Sequence, residues 1–411
     1  MSVVRGGVAI CTAITANFAA FARVWARSIR DAGHRDPLFA IVTERSSALG
    51  DWNEPLFTSV PIEACGLPDL TRQTFINPPH ELTVLAAAGP PLRAGAGFDT
   101  AIFLDSDVWV LDDLALLVET AAAHAITLSP HLLAPLRGSD RAARELTMLR
   151  SGTFNGGAVA VSNRPEGHRF LEWWLGRLST HNRMAPGAGM HHDQRWLDLA
   201  PGFFERCGCR ARRGVQRGTG IFPSAASTSG RAGRRSPEAR AGSCTLSGFD
   251  PARPEVLSRH TTRVTRETLG EAALLLDAYA SALAEAGHDL ARTTPFSYAA
   301  FDNGIPIPLQ ARETYRDLGQ TSARFGDPFA TGPGCFLEWL LSASDEPGPG
   351  RGLPRLWRAV YDRRPDLQQA FADPAGVDRS GFVRWVRASG LQEHAIDPAL
   401  AMDEGAATPP A

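Results

Sequence analysis

The sequence predicts an α/β domain followed by a smaller, mainly helical domain, and three observations carry that expectation. Short apolar runs bounded by turn residues alternate with stretches of helical spacing over the first half of the chain. Those runs are apolar throughout, which suits strands of a sheet covered on both faces. After Phe301-Asp302-Asn303-Gly304 the pattern turns helical, and a length of 411 residues suits two domains better than one core.

The first run, Gly7 to Ala13, leads through Thr15-Ala16-Asn17 into Phe18, Phe21, Ala22, Trp25, Ile29 and Ala32 at helical spacing, giving strand, loop and helix. Pro37 to Val42 and Asp99 to Leu104 read as further strands. The alternation continues with Ala125 to Leu128 as strand, Ser139 to Leu149 as helix, Gly157 to Val161 as strand and Arg169 to Leu178 as helix. Phe170, Trp173 and Trp174 fall on that last helix and are expected in the core. Arg266 to Ala286 is a long Ala/Leu-rich helix, and shorter helices are expected near Arg312 to Leu318, Leu353 to Tyr361 and Arg379 to Ala388. The expected division is a first domain over 1–265, a helical linker over 266–300, a helical domain over 301–392 and a flexible tail over 393–411.

An apolar fraction of 44%, a charged fraction of 21% and a formal charge of -2 are those of an ordinary globular chain and give no footprint for nucleic-acid binding. All basic residues besides histidine are arginines, so Schiff-base chemistry and a phosphate-binding lysine are excluded. No cationic run followed by an apolar stretch opens the chain, and no window reaches the ~18 apolar residues of a membrane span, which predicts a cytoplasmic protein without an integral membrane segment. Peripheral membrane contact remains compatible with this. Six cysteines lie scattered without framework spacing and read as free thiols.

The stretch Arg206 to Thr245 departs from its surroundings, with nine arginines against a single glutamate and no periodicity. It reads either as disordered or as translated out of frame, since arginine and glycine richness is what GC-rich DNA yields in a shifted frame. Codons TCT TGC ACN for Ser243-Cys244-Thr245 would give Leu-His one base along. An uninterrupted frame on resequencing would remove that second reading.

The chemistry concentrates at Asp105-Ser106-Asp107, directly after the apolar run Ala101 to Leu104 and hence at the carboxyl end of a strand, where open α/β sheets bind ligands. Two aspartates one residue apart offer hard oxygen ligands to Mg²⁺ or Mn²⁺ while leaving coordination positions for a diphosphate. Such a pair also occurs in ordinary turns and helix caps; the preceding buried strand is what favours a site. Asn155-Gly156-Gly157 reads as a tight turn before a strand or as backbone built for close approach to a ligand. Asp193, ahead of the short helix that Gln194 opens, is either an N-cap or a ligand-binding carboxylate. His191 and His192 are adjacent, point apart, and read as loop residues.

The opening strand with its Thr-Ala-Asn loop, the strand ending in Asp-Ser-Asp followed by Val-Trp-Val, Thr153-Phe154-Asn155-Gly156-Gly157, His192 to Leu197, and Leu246-Ser247-Gly248-Phe249-Asp250-Pro251 occur in an order that resembles the GT-A glycosyltransferases, most closely the glycogenin-like retaining group. The resemblance covers roughly residues 4–262 and implies a Rossmann-like mixed sheet flanked by helices. It implies a nucleoside-diphosphate sugar as donor, a hydroxyl acceptor on a glycan, lipid-linked sugar or protein, and Mn²⁺ or Mg²⁺ held by Asp105 and Asp107. Thr12, Ala13 and Asn17 would border the nucleotide, Asp105 and Asp107 would face ribose and metal, Asn155, Gly156 and Gly157 would approach the donor sugar, and Ser106 and Gly248 would also bind the donor. Asp193 and Gln194 would stand near the reacting carbon. The carboxyl-terminal pattern, including Asn303 to Pro308 and Arg364-Pro365-Asp366-Leu367, is similar to helical extensions of bacterial polysaccharide glycosyltransferases.

Two departures stand out. The histidine that commonly supplies a third metal ligand is missing from Ser243-Cys244-Thr245-Leu246-Ser247-Gly248, with His260 the nearest candidate substitute. No basic residue follows Glu81-Leu82 at the usual spacing; Arg93 is further on. A degenerate, non-catalytic sugar-nucleotide-binding protein therefore stays open as an alternative. A haloacid-dehalogenase-like phosphatase also uses Asp-x-Asp after a strand, but needs a later lysine that this chain lacks.

Overall fold

The computed structural model describes residues 7–50, 52–89, 98–209, 243–256 and 273–403. The chain forms two compact units, Met1–Pro68 with Pro79–Phe296, and Asp69–Pro78 with Ser297–Ala411.

The strands of the first unit are β1 (Val8–Ile14), β2 (Leu38–Val42), β3 (Thr58–Pro61), β4 (Thr100–Leu104), β5 (Val108–Val110), β6 (Ile126–Pro130), β7 (Phe154–Ser162), β8 (Met184–Ala185), β9 (Met190–His191), β10 (Cys207–Cys209) and β11 (Ser243–Thr245). Seven of them make one sheet in the order β10-β6-β7-β4-β1-β2-β3. β1, β2, β3 and β4 run parallel, whereas β7 is antiparallel to both β4 and β6. The sheet is thus mixed, as the GT-A resemblance implies. An unbroken apolar run does not distinguish the two directions, because burial on both faces demands the same residues either way.

The helix Ala19–Asp31 shows why these segments fold as they do. Ala22, Trp25, Ala26 and Ile29, spaced i, i+3, i+4 and i+7, pack with Ile10, Leu38, Ile102 and Leu104 of the sheet. Its opposite side, Ala20, Phe21 and Val24, packs with Leu246, Phe249, and Leu276, Tyr279 and Leu283 of the helix Ala273–Glu285. Burying a side chain such as Trp25 or Leu283 contributes on the order of 1.5–3 kcal/mol, so the helix read as a linker is an integral layer of the first unit. On the helix Pro165–His181, Phe170 and Trp174 are fully buried, as expected for core. Trp173 is half-buried against the rings of Phe203 and Phe204.

The compositionally odd stretch is ordered at both ends. Cys207–Cys209 adds β10 to the sheet edge beside β6, and Ser243–Thr245 pairs as β11 with β5. Residues 210–242 lie outside the described residues, so the disorder and frame readings fall there.

In the second unit, the excursion Asp69–Pro78 supplies the helix Leu70–Ile76 to a helical body that includes Leu309–Asp317, Phe336–Leu341, Arg355–Tyr361 and Arg379–Trp385. Phe75 is fully buried, with ring centroids 4.9 Å from Tyr315, 5.1 Å from Phe329, 5.6 Å from Phe336 and 6.0 Å from Phe301. Arg312, buried, donates to the carbonyls of Thr74, Phe75 and Tyr298, and Arg316 donates to that of Ile76 at 2.7 Å. Cations on the last carbonyls of a helix satisfy orphan acceptors and oppose the negative end of its dipole. The tail expected to be flexible from 393 packs as far as Met402, with Leu400 and Met402 buried and the Leu400 carbonyl accepting from the Trp357 indole at 2.9 Å. Among the described residues no helix is long and apolar enough to cross a membrane.

Candidate functional site

Every residue of β4 is buried, and the chain leaves the sheet in a turn formed by Asp105, Ser106 and Asp107. The turn is held by the Asp105 N–H on the Gly157 carbonyl, 2.9 Å, and the Val108 N–H on the Asp105 carbonyl, 3.0 Å. β5 then pairs antiparallel with β11, Val108 opposite Thr245, and the Leu246 N–H donates to the Asp107 carbonyl at 3.1 Å. This register brings Leu246-Ser247-Gly248 beside the aspartates. Gly248 has a φ of +76°, a conformation that side chains rarely tolerate.

β7 lies against β4 with Ala158 opposite Leu104, so the residues before it, Asn155, Gly156 and Gly157, run alongside the aspartate turn. The glycines are there for room. A Cβ on Gly157 would fall 2.1 Å from Asp105 Oδ2, and one on Gly156 would fall 1.9 Å from Asp193 Oδ2. Asn155, buried, turns its Oδ1 back to accept from the Gly157 N–H at 2.9 Å, which fixes the strand end.

Asp193 is buried and precedes the short helix Gln194–Leu197. Its carboxylate does not cap the later N–H groups of that helix; it accepts from the backbone N–H groups of Asp193 and Gln194 and lies against Gly156. Gln194 is braced at both ends of its amide. Oε1 accepts from the Gly156 N–H at 3.2 Å, and Nε2 donates to the Ser151 carbonyl at 3.0 Å while facing His191 Nδ1 at 3.4 Å. A side chain so engaged fixes the strand edge at Gly156.

The electrostatics single out the same residues. Burial pushes the Asp105 carboxyl well above its usual range, and the neighbouring charges of Asp107 and then Asp193 push it further. Burial raises Asp193 to about 7 against the lowering effect of its backbone hydrogen bonds. Mutually repelling carboxylates of this kind favour a cation among them. Aspartate oxygens are the right chemistry for Mg²⁺ or Mn²⁺, but among the described residues no group of three or more His, Cys, Asp or Glu is placed to hold a metal ion. Carboxylate oxygens thus match either cation in kind, while the described residues do not by themselves form a closed protein site for it. His260 and Arg93 lie outside the described residues.

On β1, Thr12 is fully buried with its Oγ1 lacking any hydrogen-bond partner, and Ala13 is buried beside it. Cys11 stands opposite Phe103, so Thr12 is one step from Leu104 and the aspartate turn. Asn17 is half-buried in the loop that follows, its Oδ1 accepting from Thr15 Oγ1 at 2.5 Å, while Glu44 Oε1 accepts from the Ala16 N–H at 3.1 Å.

Reasoning from the sequence missed three supporting residues. Asp198 Oδ1 accepts from the Thr153 N–H at 2.8 Å and Thr153 Oγ1 at 2.6 Å, anchoring the approach to β7. His131 lies beside Gln194, and burial holds its pKa below the usual range. Glu44 holds the β1 loop. Each acts across strands distant in sequence, and no local spacing marks it.

No protein-family model matches the chain, and no curated protein matches it. Among solved structures, a galactosyltransferase LgtC in complex with donor and acceptor sugar analogues aligns at 16% identity and a TM-score of 0.39, over 66% of this chain and 95% of its own. The glycosyltransferase GlyE of Streptococcus pneumoniae TIGR4 aligns at 14% identity and a TM-score of 0.29, over 50% of this chain and 45% of its own. Mouse xyloside xylosyltransferase 1 in its apo form aligns at 12% identity and a TM-score of 0.29, over 50% of this chain and 84% of its own. At these scores a functional reading has to rest on the geometry of the site.

Proposed function

We propose that the protein is a glycosyltransferase that moves a sugar from a nucleoside-diphosphate donor to a hydroxyl acceptor, with Asp105 and Asp107 as the protein's ligands to Mn²⁺ or Mg²⁺. The observation that carries this is the packing of two carboxylates onto two glycines at one sheet edge, Asp105 on Gly157 and Asp193 on Gly156. A divalent cation there would supply charge neutralisation for the departing diphosphate. Thr12, Ala13 and Asn17 border the nucleotide, Ser106 and Asp105 the ribose, and the Gly248 turn the phosphates. Asn155 and the bare backbone of Gly156 and Gly157 admit the sugar, Asp193 faces its hydroxyls, and Gln194 holds Gly156 in place. The glycogenin-like affinity, anomeric retention and a role in bacterial polysaccharide or glycoconjugate synthesis rest on the sequence resemblance alone, and a cytoplasmic location on the sequence pattern alone.

The second reading, a sugar-nucleotide-binding protein without turnover, draws on the lack of a third protein metal ligand among the described residues. Both predict donor binding, so binding is tested first. A thermal-shift titration with UDP, GDP and other nucleoside diphosphates, each with Mn²⁺ or chelator, should raise the midpoint by a few degrees for one base, since ~100 times Kd adds about 2.7 kcal/mol. Asp105→Ala, Asp107→Ala and Gly157→Ala should remain folded and lose that shift, the last because its new methyl displaces the Asp105 carboxylate. No shift with any nucleotide would overturn both readings.

A further inference from the structure

The helix Arg141–Ser151, between β6 and β7, buries none of its residues. Arg144, Glu145, Met148 and Ser151 are half-buried and form the side turned to the protein. Ala142, Leu146 and Leu149, spaced i, i+4 and i+7, form an outward apolar stripe on which Leu146 is 51% and Leu149 is 56% exposed. Exposed arginines flank it, Arg141 at one end and Arg150 at the other, with Arg137 and the 61% exposed Leu133 in the segment leading in, so that three exposed arginines stand against one exposed carboxylate, Asp140. Glu145 accepts from the Leu136 N–H at 2.9 Å, so its charge is engaged within the protein, and Arg141 donates to the neutral Gly138 carbonyl at 2.9 Å.

We propose that this helix and its lead-in dock on the surface of an anionic lipid bilayer. Apolar surface left in water is unfavourable, and the excess of exposed arginine beside it attracts anions; an anionic headgroup layer over acyl chains meets both, with the arginine stems lying along the boundary. At ~1.5 Å per residue the helix is far too short to span a bilayer, so it lies in the interface. Its carboxyl end runs through Gly152 directly into Thr153 and Asn155, and a Cβ on Gly152 would meet Gln194 at 2.8 Å, so the docking face adjoins the proposed donor-sugar edge. The docking face does not depend on the donor reading.

The test is flotation of the full chain with vesicles of mixed phosphatidylglycerol and phosphatidylcholine, against phosphatidylcholine alone, comparing wild type with Leu146→Ser/Leu149→Ser and Arg141→Ser/Arg150→Ser. Each double variant should lower partitioning onto anionic vesicles about tenfold, and salt should weaken wild-type binding. Both should keep the wild-type nucleoside-diphosphate thermal shift, because the changed residues are exposed. The proposal is overturned if wild type ignores anionic vesicles, if the double variants bind as wild type does, or if light scattering shows a dimer that the leucine variant abolishes, which would mean a second copy covers the stripe. Vesicle binding without any nucleotide shift would overturn only the donor reading.

Discussion

Phe75→Ala is expected to destabilise the second unit by about 3–5 kcal/mol, a large share of the ~5–15 kcal/mol that holds an ordinary domain together. Four aromatic rings meet Phe75 within 6.0 Å, and the ring is fully buried. The helix that carries it has seven residues, too few to persist without packing. Denaturation followed by tryptophan fluorescence should show an early transition reported by Trp339, Trp357 and Trp385, ahead of the one from the sheet unit. For the same reason residues 297–411 alone should fail to fold, and should fold when the 69–78 segment is supplied. A single unchanged transition in Phe75→Ala would refute this account of the unit's core.

Asp193→Asn should make the ligand-free protein more stable at pH 8 while lowering the proposed sugar transfer by about 100-fold or more. Asp193 has a folded pKa of about 7, against ~3.9 for an unfolded aspartate. The folded state therefore binds the proton more tightly, and the stability this provides is full below pH ~4 and lost as pH rises through about 7. Above that, folding keeps a buried charge near Asp105, a penalty on the order of 4 kcal/mol. The asparagine removes the charge, so the variant's advantage should appear between pH 4 and 7 and vanish in acid. Equal stability of wild type and variant across that range would contradict the assignment. A gain in stability bought with function is the expected mark of a strained site.

Much of the site was legible because its residues sit at the ends of segments with strong local signatures. The all-buried run Thr100–Leu104 announces β4, and an aspartate turn after such a run has few places to go. Asn155-Gly156-Gly157 and Asp193 could be placed with it only through the order of motifs, and the structure does bring them together. What local pattern could not show depends on contacts across the fold. The direction of β7, the pairing of β11 with β5, and the engagement of the Gln194 amide by Gly156 and Ser151 are of this kind. The helix Leu70–Ile76 is the clearest case. Its apolar residues signal burial, but nothing near it in sequence says that its ring partners begin more than two hundred residues later, at Phe301.

The central claim, a donor site in which a divalent metal is held jointly by two aspartates and a diphosphate, is tested most directly by titrating Mn²⁺ while following the paramagnetic resonance signal of the free ion. With two protein carboxylates and no third ligand among the described residues, the protein alone should take up Mn²⁺ weakly. Addition of the matching nucleoside diphosphate should tighten Mn²⁺ uptake by about tenfold or more, beyond what nucleotide alone binds, and Asp105→Asn or Asp107→Asn should abolish the gain. Mn²⁺ uptake that no nucleotide changes, or that survives loss of both aspartates, would contradict the claim.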